Sequence, residues 1–186
     1  MVGWASGDEE RRDRFDSVVF AIPSVQASIV LRDPAPELAE QVDRASFAPR
    51  WSVMIETDRV ELEAPVIESP SADELESIIL NSSKPGRPAI DGRSAFVAHA
   101  TTDFSREHLE RDSDEIAEVL GRAFESSMRE FGCHVAVRSL VAHRWRYALA
   151  TQRASETHEA LADVDQRLYV CGDWVCESRR EYGIQG

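Results

Sequence analysis

Apolar residues run unbroken over positions 18–22. A continuous run rather than an alternating one predicts a strand buried on both faces, as in the middle of an α/β sheet. Pro23 stops it. The chain before it reads as a hairpin: Trp4 ends a short strand, Ser6, Gly7 and Asp8 supply turn chemistry, and residues 15–22 form the returning strand. Ser24 is placed to cap a short helix through Val25, Ile29 and Val30, and Pro34 and Pro36 open another helical stretch with Leu38 and Val42 on one face. Alternation over residues 51–56, 75–80 and 94–101 predicts three strands. The strongest helix is expected over residues 113–131, where Ile116, Leu120, Ala123, Phe124 and Phe131 share a face at the 3.6 period. Asp112 or Ser113 caps it, Glu115 stands at capping-box distance from Asp112, and Gly132 ends it. One or two helical turns precede it over residues 105–110. Residues 134–139, 141–149 and 167–171 read as further strands, and residues 151–165 are polar and weakly patterned. Mostly antiparallel strands with two or three helices and no βαβ alternation predict an α+β fold.

Charge narrows the function classes. The chain has 186 residues, 34 of them acidic and 21 basic, for a net charge of -13. That argues against a protein that grips a nucleic-acid backbone, which needs a basic face. Residues 56–76 hold eight acids and one base, the pattern of an exposed excursion. Lys84 is the sole lysine among the basic residues, a composition that fits either adaptation to a salty cytoplasm or a genome that writes arginine. No apolar run approaches the roughly 20 residues of a membrane span, and no secretory apolar core opens the chain. Three cysteines in no framework spacing fit a reducing, cytoplasmic setting.

The usual phosphate cradles, G-x-G-x-x-G after a strand or G-x-x-x-x-G-K-[ST], are missing. Cys133, His134, His143, Cys171 and Cys176 lack metal-site spacing, so no metal is expected. No G-x-S-x-G elbow supports a hydrolase triad. Two segments carry more. Over residues 142–149, alternation sends His143, Trp145 and Tyr147 one way and Arg144 and Arg146 the other. Such a stripe can wall a planar ligand by stacking, or it can be a half-buried sheet face. Cys171-Gly172-Asp173-Trp174 follows an apolar strand, where backbone N–H groups and a carboxylate are exposed together; the plain alternative is an ordinary strand-end turn.

Five segments in order resemble one family. Residues 15–27 match FD-x-VV-x-A-x-P-x-x-QA, residues 81–87 read NSSKPGR, residues 105–110 SREHLE, residues 142–148 AHRWRYA and residues 171–174 CGDW. Together they resemble renalase-like FAD-dependent oxidoreductases, relatives of the flavin amine oxidases, over nearly the whole chain. The resemblance implies the substrate-domain portion of a two-domain flavoenzyme, an antiparallel sheet covered by helices. Residues 1–23 would belong to the junction with the FAD domain, 24–165 to the substrate domain and 166–186 to a strand and a flavin-contacting terminal segment. It implies FAD as cofactor and a small reduced substrate, a dihydronicotinamide or an amine. Gly172, Asp173, Trp174, Arg179 and Glu181 would contact the cofactor; Trp145, Tyr147, Asn81, Lys84 and Arg87 would face the substrate; no catalytic acid–base pair is demanded. The sequence departs from the family at both ends. The glycine-fingerprint segment is absent, and Glu177, Ser178 and Tyr182 stand where the family has glycines, so a truncated or split chain is expected. The alternative is a non-catalytic remnant or a subunit served by a separately encoded FAD-binding domain. The uncovered run at 18–22 would then favour self-association.

Overall fold

The structure, a computed structural model, describes residues 2–6, 9–62, 64–68, 72–87, 92–157 and 160–176, with backbone alone over 2–6 and 9–12. In chain order the elements are β1 (Val2–Ser6), β2 (Glu9–Asp13), β3 (Val18–Phe20), α1 (Ser24–Leu31), α2 (Pro36–Val42), β4 (Ser46–Asp58), β5 (Val66–Glu68), β6 (Leu75–Leu80), β7 (Arg93–Ala100), α3 (Thr102–Glu107), α4 (Ser113–Glu130), β8 (Val137–Gln152), β9 (Ala160–Asp163) and β10 (Leu168–Cys171). The fold is α+β. The chain divides into two compact units, residues 1–47 with 150–186 and residues 48–149. Among the described residues no helix is long and apolar enough to cross a membrane.

The second unit is built on a sheet of order β5-β6-β7-β4-β8, with the pairs β5–β6, β6–β7 and β7–β4 antiparallel. Strand β7 alternates strictly: Ser94, Phe96, Ala98 and Ala100 are buried and the residues between them are half-covered. Helix α4 covers that buried face with Ile116, Leu120, Phe124 and Met128. The Phe96 and Phe124 rings lie 5.1 Å apart at the centre. Helix α4 follows its predicted N-terminus only in part. The Asp112 carboxylate accepts from the Asp114 backbone N–H at 2.8 Å. Glu115, however, pairs with Arg111 at 3.1 Å instead of closing a capping box. Phe131 falls past the last turn and is exposed, so the apolar stripe ends at Met128. Gly121 lets β8 approach: a Cβ there would stand 2.6 Å from Leu140 Cδ1.

In the first unit, β3 lies parallel to β10, and β9 pairs antiparallel on the other side of β10. Leu31, Leu38, Val42, Leu161, Val170 and Trp174 form its core, with Phe20 and Leu168 against it. Three expectations change here. The opening hairpin closes between β1 and β2, not between β1 and residues 15–22. Strand β3 is only three residues long, and its middle residue Val19 is 61% exposed, so it is not covered on both faces. Helix α1 begins at Ser24 itself, with Pro23 at the N-cap position and no side-chain cap bond. It buries Ser24, Ala27, Ser28 and Leu31, and leaves Val25, Ile29 and Val30 in solvent. Small side chains on the inner face let the helix sit close on the core, which hydrophobicity alone did not reveal. Among the described residues the Ser24 and Ser28 hydroxyls, buried there, have no hydrogen-bond partner.

One half-buried titratable group is expected to make stability pH-dependent. His99 on β7 faces Ser52 on β4, with Ser52 Oγ 2.8 Å from Nδ1. Burial, with Arg50 and Lys84 adding repulsion against the opposing pull of Glu76, lowers its pKa below the ordinary 6.5. The folded state therefore prefers neutral imidazole. Its contribution is complete above about pH 6.5 and declines as pH falls toward the lowered folded value. His99→Asn is expected to flatten the fall in stability as pH drops below about 6.5 in urea titrations; an unchanged slope would contradict this.

Candidate functional site

Two of the sequence segments lock onto each other within the second unit. From β8, Arg146 donates twice to Glu110, Nη1 to Oε1 at 2.6 Å and Nη2 to Oε2 at 2.8 Å. Arg144 Nη1 donates to the Leu109 carbonyl at 2.7 Å and to Glu110 Oε2 at 3.1 Å. Its guanidinium lies 5.8 Å from the Trp51 ring centre. The loop after α3 is held in turn by Trp51, whose Nε1 donates to the His108 carbonyl at 3.0 Å and whose backbone N–H donates to Ser105 Oγ at 3.0 Å. Glu110 thus serves as the shared carboxylate of both arginines on that side of the strand. The Arg146 hydrogen bond holds the Glu110 carboxyl below its ordinary range.

This clamp sets the facing of β8. Ala142 is buried under α4 on the arginine side, so alternation sends Val141, His143, Trp145, Tyr147 and Leu149 to the opposite, open face. Trp145 is 53% and Tyr147 36% exposed. The His143 and Trp145 rings meet edge-on, 4.3 Å between centres. Leu120 and Phe124 pack on Phe96 instead. The aromatic row is thus not the helix-packed face of the sheet. Trp145→Ala and Tyr147→Ala are each expected to change stability by less than about 1 kcal/mol, since neither ring fills the core. A larger loss in chemical denaturation would show that the row is structural.

Asn81, Lys84 and Arg87 sit at the end of β6, where residues 81–83 make one 3-10 turn. Ser83 Oγ donates to the Leu80 carbonyl at 2.7 Å, and Gly86 takes a left-handed φ of 77°. Lys84 and Arg87 are exposed and Asn81 is half-buried. The strand order places β6 three positions from β8, so the loop and the aromatic row do not meet through the sheet.

The Cys171–Trp174 turn belongs to the first unit. Because β3 and β10 run parallel, both end at one edge, where α1 begins. The carboxyl ends of parallel strands are where α/β sheets take ligands. Trp174 ties the two strand ends together: its Nε1 donates to the Ile22 carbonyl at 3.2 Å, and its ring, 3% exposed, meets Phe47 edge-on at 6.4 Å. Gly172 has a structural reason, since a Cβ would stand 2.6 Å from Trp174 Nε1. Asp173 is exposed; its carbonyl accepts from Arg153 Nη1, and its carboxylate has no partner among the described residues. Sequence patterning missed Arg153 because it lies in a polar stretch without period. It missed Glu110 because its partners lie more than thirty positions away. Arg179 and Glu181 lie outside the described residues.

Two observations bear on whether FAD fits these residues. The open carboxylate at the strand edge suits a hydroxylated chain, and the unpartnered Ser24 hydroxyl lies at the N-terminus of α1 on the same edge. Trp174 does not suit a cofactor contact, because its ring is committed to the core.

No profile of a known protein family matches the chain. Solved structures do. A protein described as a protoporphyrinogen oxidase from Exiguobacterium matches 86% of this chain with a TM-score of 0.58 at 15% identity. An oxidoreductase from Methanosarcina mazei matches 91% with a TM-score of 0.55 at 14% identity. A reduced UDP-galactopyranose mutase matches 75% with a TM-score of 0.50 at 9% identity. The chain spans 36%, 40% and 30% of those three chains, well under half of each. At these identities the likeness is one of fold: this chain has the α+β architecture of a part of each of them.

Proposed function

We propose that this chain is part of an FAD-dependent oxidoreductase of the renalase and amine oxidase type, acting on a small reduced substrate, a dihydronicotinamide or an amine. The observation that carries the reading is the Cys171–Trp174 turn. It sets an exposed Asp173 carboxylate, without a partner among the described residues, at the carboxyl edge of a parallel strand pair. The shared fold with an oxidase and an oxidoreductase supports it. The flavin, when bound, accepts a hydride from the substrate, so this chain needs no acid–base pair of its own.

In this reading the Asp173 carboxylate accepts hydrogen bonds from the hydroxyls of the cofactor's polyol chain. Gly172 and Trp174 shape the turn. Arg179 and Glu181 are carried by the resemblance as further cofactor contacts. Trp145 and Tyr147 offer their rings to a planar substrate, which costs little because the row is already open and fixed by the Glu110 clamp. Asn81, Lys84 and Arg87 serve as polar donors to the substrate. A cytoplasmic setting accords with the free thiols Cys133, Cys171 and Cys176. The test is FAD uptake followed by flavin fluorescence. Asp173→Ala is expected to weaken uptake about tenfold or more, the worth of a charged hydrogen bond. Equal uptake by wild type and variant would overturn the assignment.

A second reading makes the chain a subunit, or a non-catalytic remnant, whose FAD-binding domain is encoded separately. The observation that favours it is the open face of the β3-β10-β9 sheet. Val19, Tyr169 and Ala162 stand in register there, opposite the face that packs on the core, while α1 turns Val25, Ile29 and Val30 outward. The solved structures of the same fold are more than twice as long, so a further domain is the occupant this surface suits. FAD uptake only after a glycine-fingerprint partner is added would select this reading. Dimers of the chain alone would assign the surface to a second copy.

A further inference from the structure

A cavity of about 510 Å³ lies within the first unit, between the end of α2 and the segment that follows β8. Gln41 and Arg44 line it from the helix side, Gln152 and Arg153 from the other, and Ala154 and Leu161 supply apolar wall. The segment is fixed in place: the Ala154 N–H donates to the Trp174 carbonyl at 3.1 Å and the Ser155 N–H to the Val175 carbonyl at 2.9 Å. The cavity's charge runs against that of the chain. The chain carries -13, and several of its arginines are paired with acids, as Arg50 is with Glu76, Arg93 with Glu56 and Arg138 with Asp58. Among the described residues neither Arg44 nor Arg153 has a carboxylate partner. Glu156 is the one carboxylate in the described lining, against two guanidinium groups. Arg153 uses one donor on the Asp173 carbonyl, which holds its head group still and leaves other N–H groups of a five-donor fork.

We infer that this cavity binds a small oxyanionic ligand, its phosphate or carboxylate group held by Arg44 and Arg153 and its polar edge met by Gln41 and Gln152. Guanidinium forks match the geometry of both anions, and the volume falls in the range of small-molecule sites. The Asp173 carboxylate takes no part, so this site stands or falls apart from the flavin reading.

The test is isothermal titration of the full chain at constant ionic strength with inorganic phosphate, pyrophosphate and citrate as separate probes. Saturable binding near one per chain is expected for at least one of them, and the phosphate and citrate arms tell which anion the site prefers. Arg44→Gln and Arg153→Gln are each expected to weaken it about tenfold or more. Arg122→Gln, on α4 in the other unit, is expected to leave it unchanged. Arg44 is exposed and its side chain makes no hydrogen bond or ion pair among the described residues, so its variant is decisive even where Arg153→Gln disturbs the turn at Asp173. No saturable binding of any probe, or an Arg44→Gln affinity within about twofold of wild type, would overturn the site.

Discussion

Phe124→Ala is expected to cost about 3–5 kcal/mol, the usual loss when a fully buried aromatic side chain is cut back to a methyl group. Phe124 is 0% exposed, and its ring stands 5.1 Å from that of Phe96 at the centre of the α4–sheet contact. The cavity left behind is walled by Ile116, Leu120 and Met128 from α4 and by sheet residues. Alternation along β7 fixes those sheet residues, so little collapse can fill the void. Against a typical domain stability of about 5–15 kcal/mol this is a large fraction. Urea unfolding with a probe in the second unit measures it directly. A loss below about 1 kcal/mol would mean that α4 does not pack as described.

Gly172→Ala is expected to destabilise the first unit by roughly 2–4 kcal/mol, combining overpacking with a φ of 157° that L residues rarely adopt. The added Cβ would stand 2.6 Å from Trp174 Nε1 and 2.9 Å from its Cδ1. The indole cannot swing away at low cost. It is buried, donates to the Ile22 carbonyl and stacks edge-on against Phe47. Displacing it also breaks the tie between the ends of β3 and β10. The variant should therefore lose both stability and the shape of the Asp173 turn. A crystal structure with the turn unmoved and a melting temperature equal to wild type would contradict the account.

How much was legible in the sequence follows from the range of each interaction. Helix α4 and strand β7 declare themselves because their periods are local and each faces one core. The open row on β8 was also readable as a row, since alternation separates Trp145 and Tyr147 from Arg144 and Arg146. Alternation alone could not say which row faced the helix. That depended on Glu110 at the far end of another segment, which pairs with both arginines. The parallel pairing of β3 with β10 joins residues about 150 positions apart, and no turn chemistry announces a partner at that distance. Strand β9 is four residues, ALAD, without alternation strong enough to read. On α1 the sequence did not show which side chains pack inward, because close packing selected Ser24, Ala27 and Ser28 over the larger Val25, Ile29 and Val30. At the turn, Gly172 and Asp173 were legible as chemistry, whereas the buried role of Trp174 emerged only with its contact to Ile22.

In the proposed function, cofactor contact lies at the carboxyl edge of β3 and β10. Hydrogen exchange with and without saturating FAD, read peptide by peptide, tests that most directly. Slowed exchange in peptides spanning residues 22–26 and 171–182 is the predicted result. Unchanged exchange at that edge, or protection only in the arginine-lined cavity at residues 152–157, would contradict it.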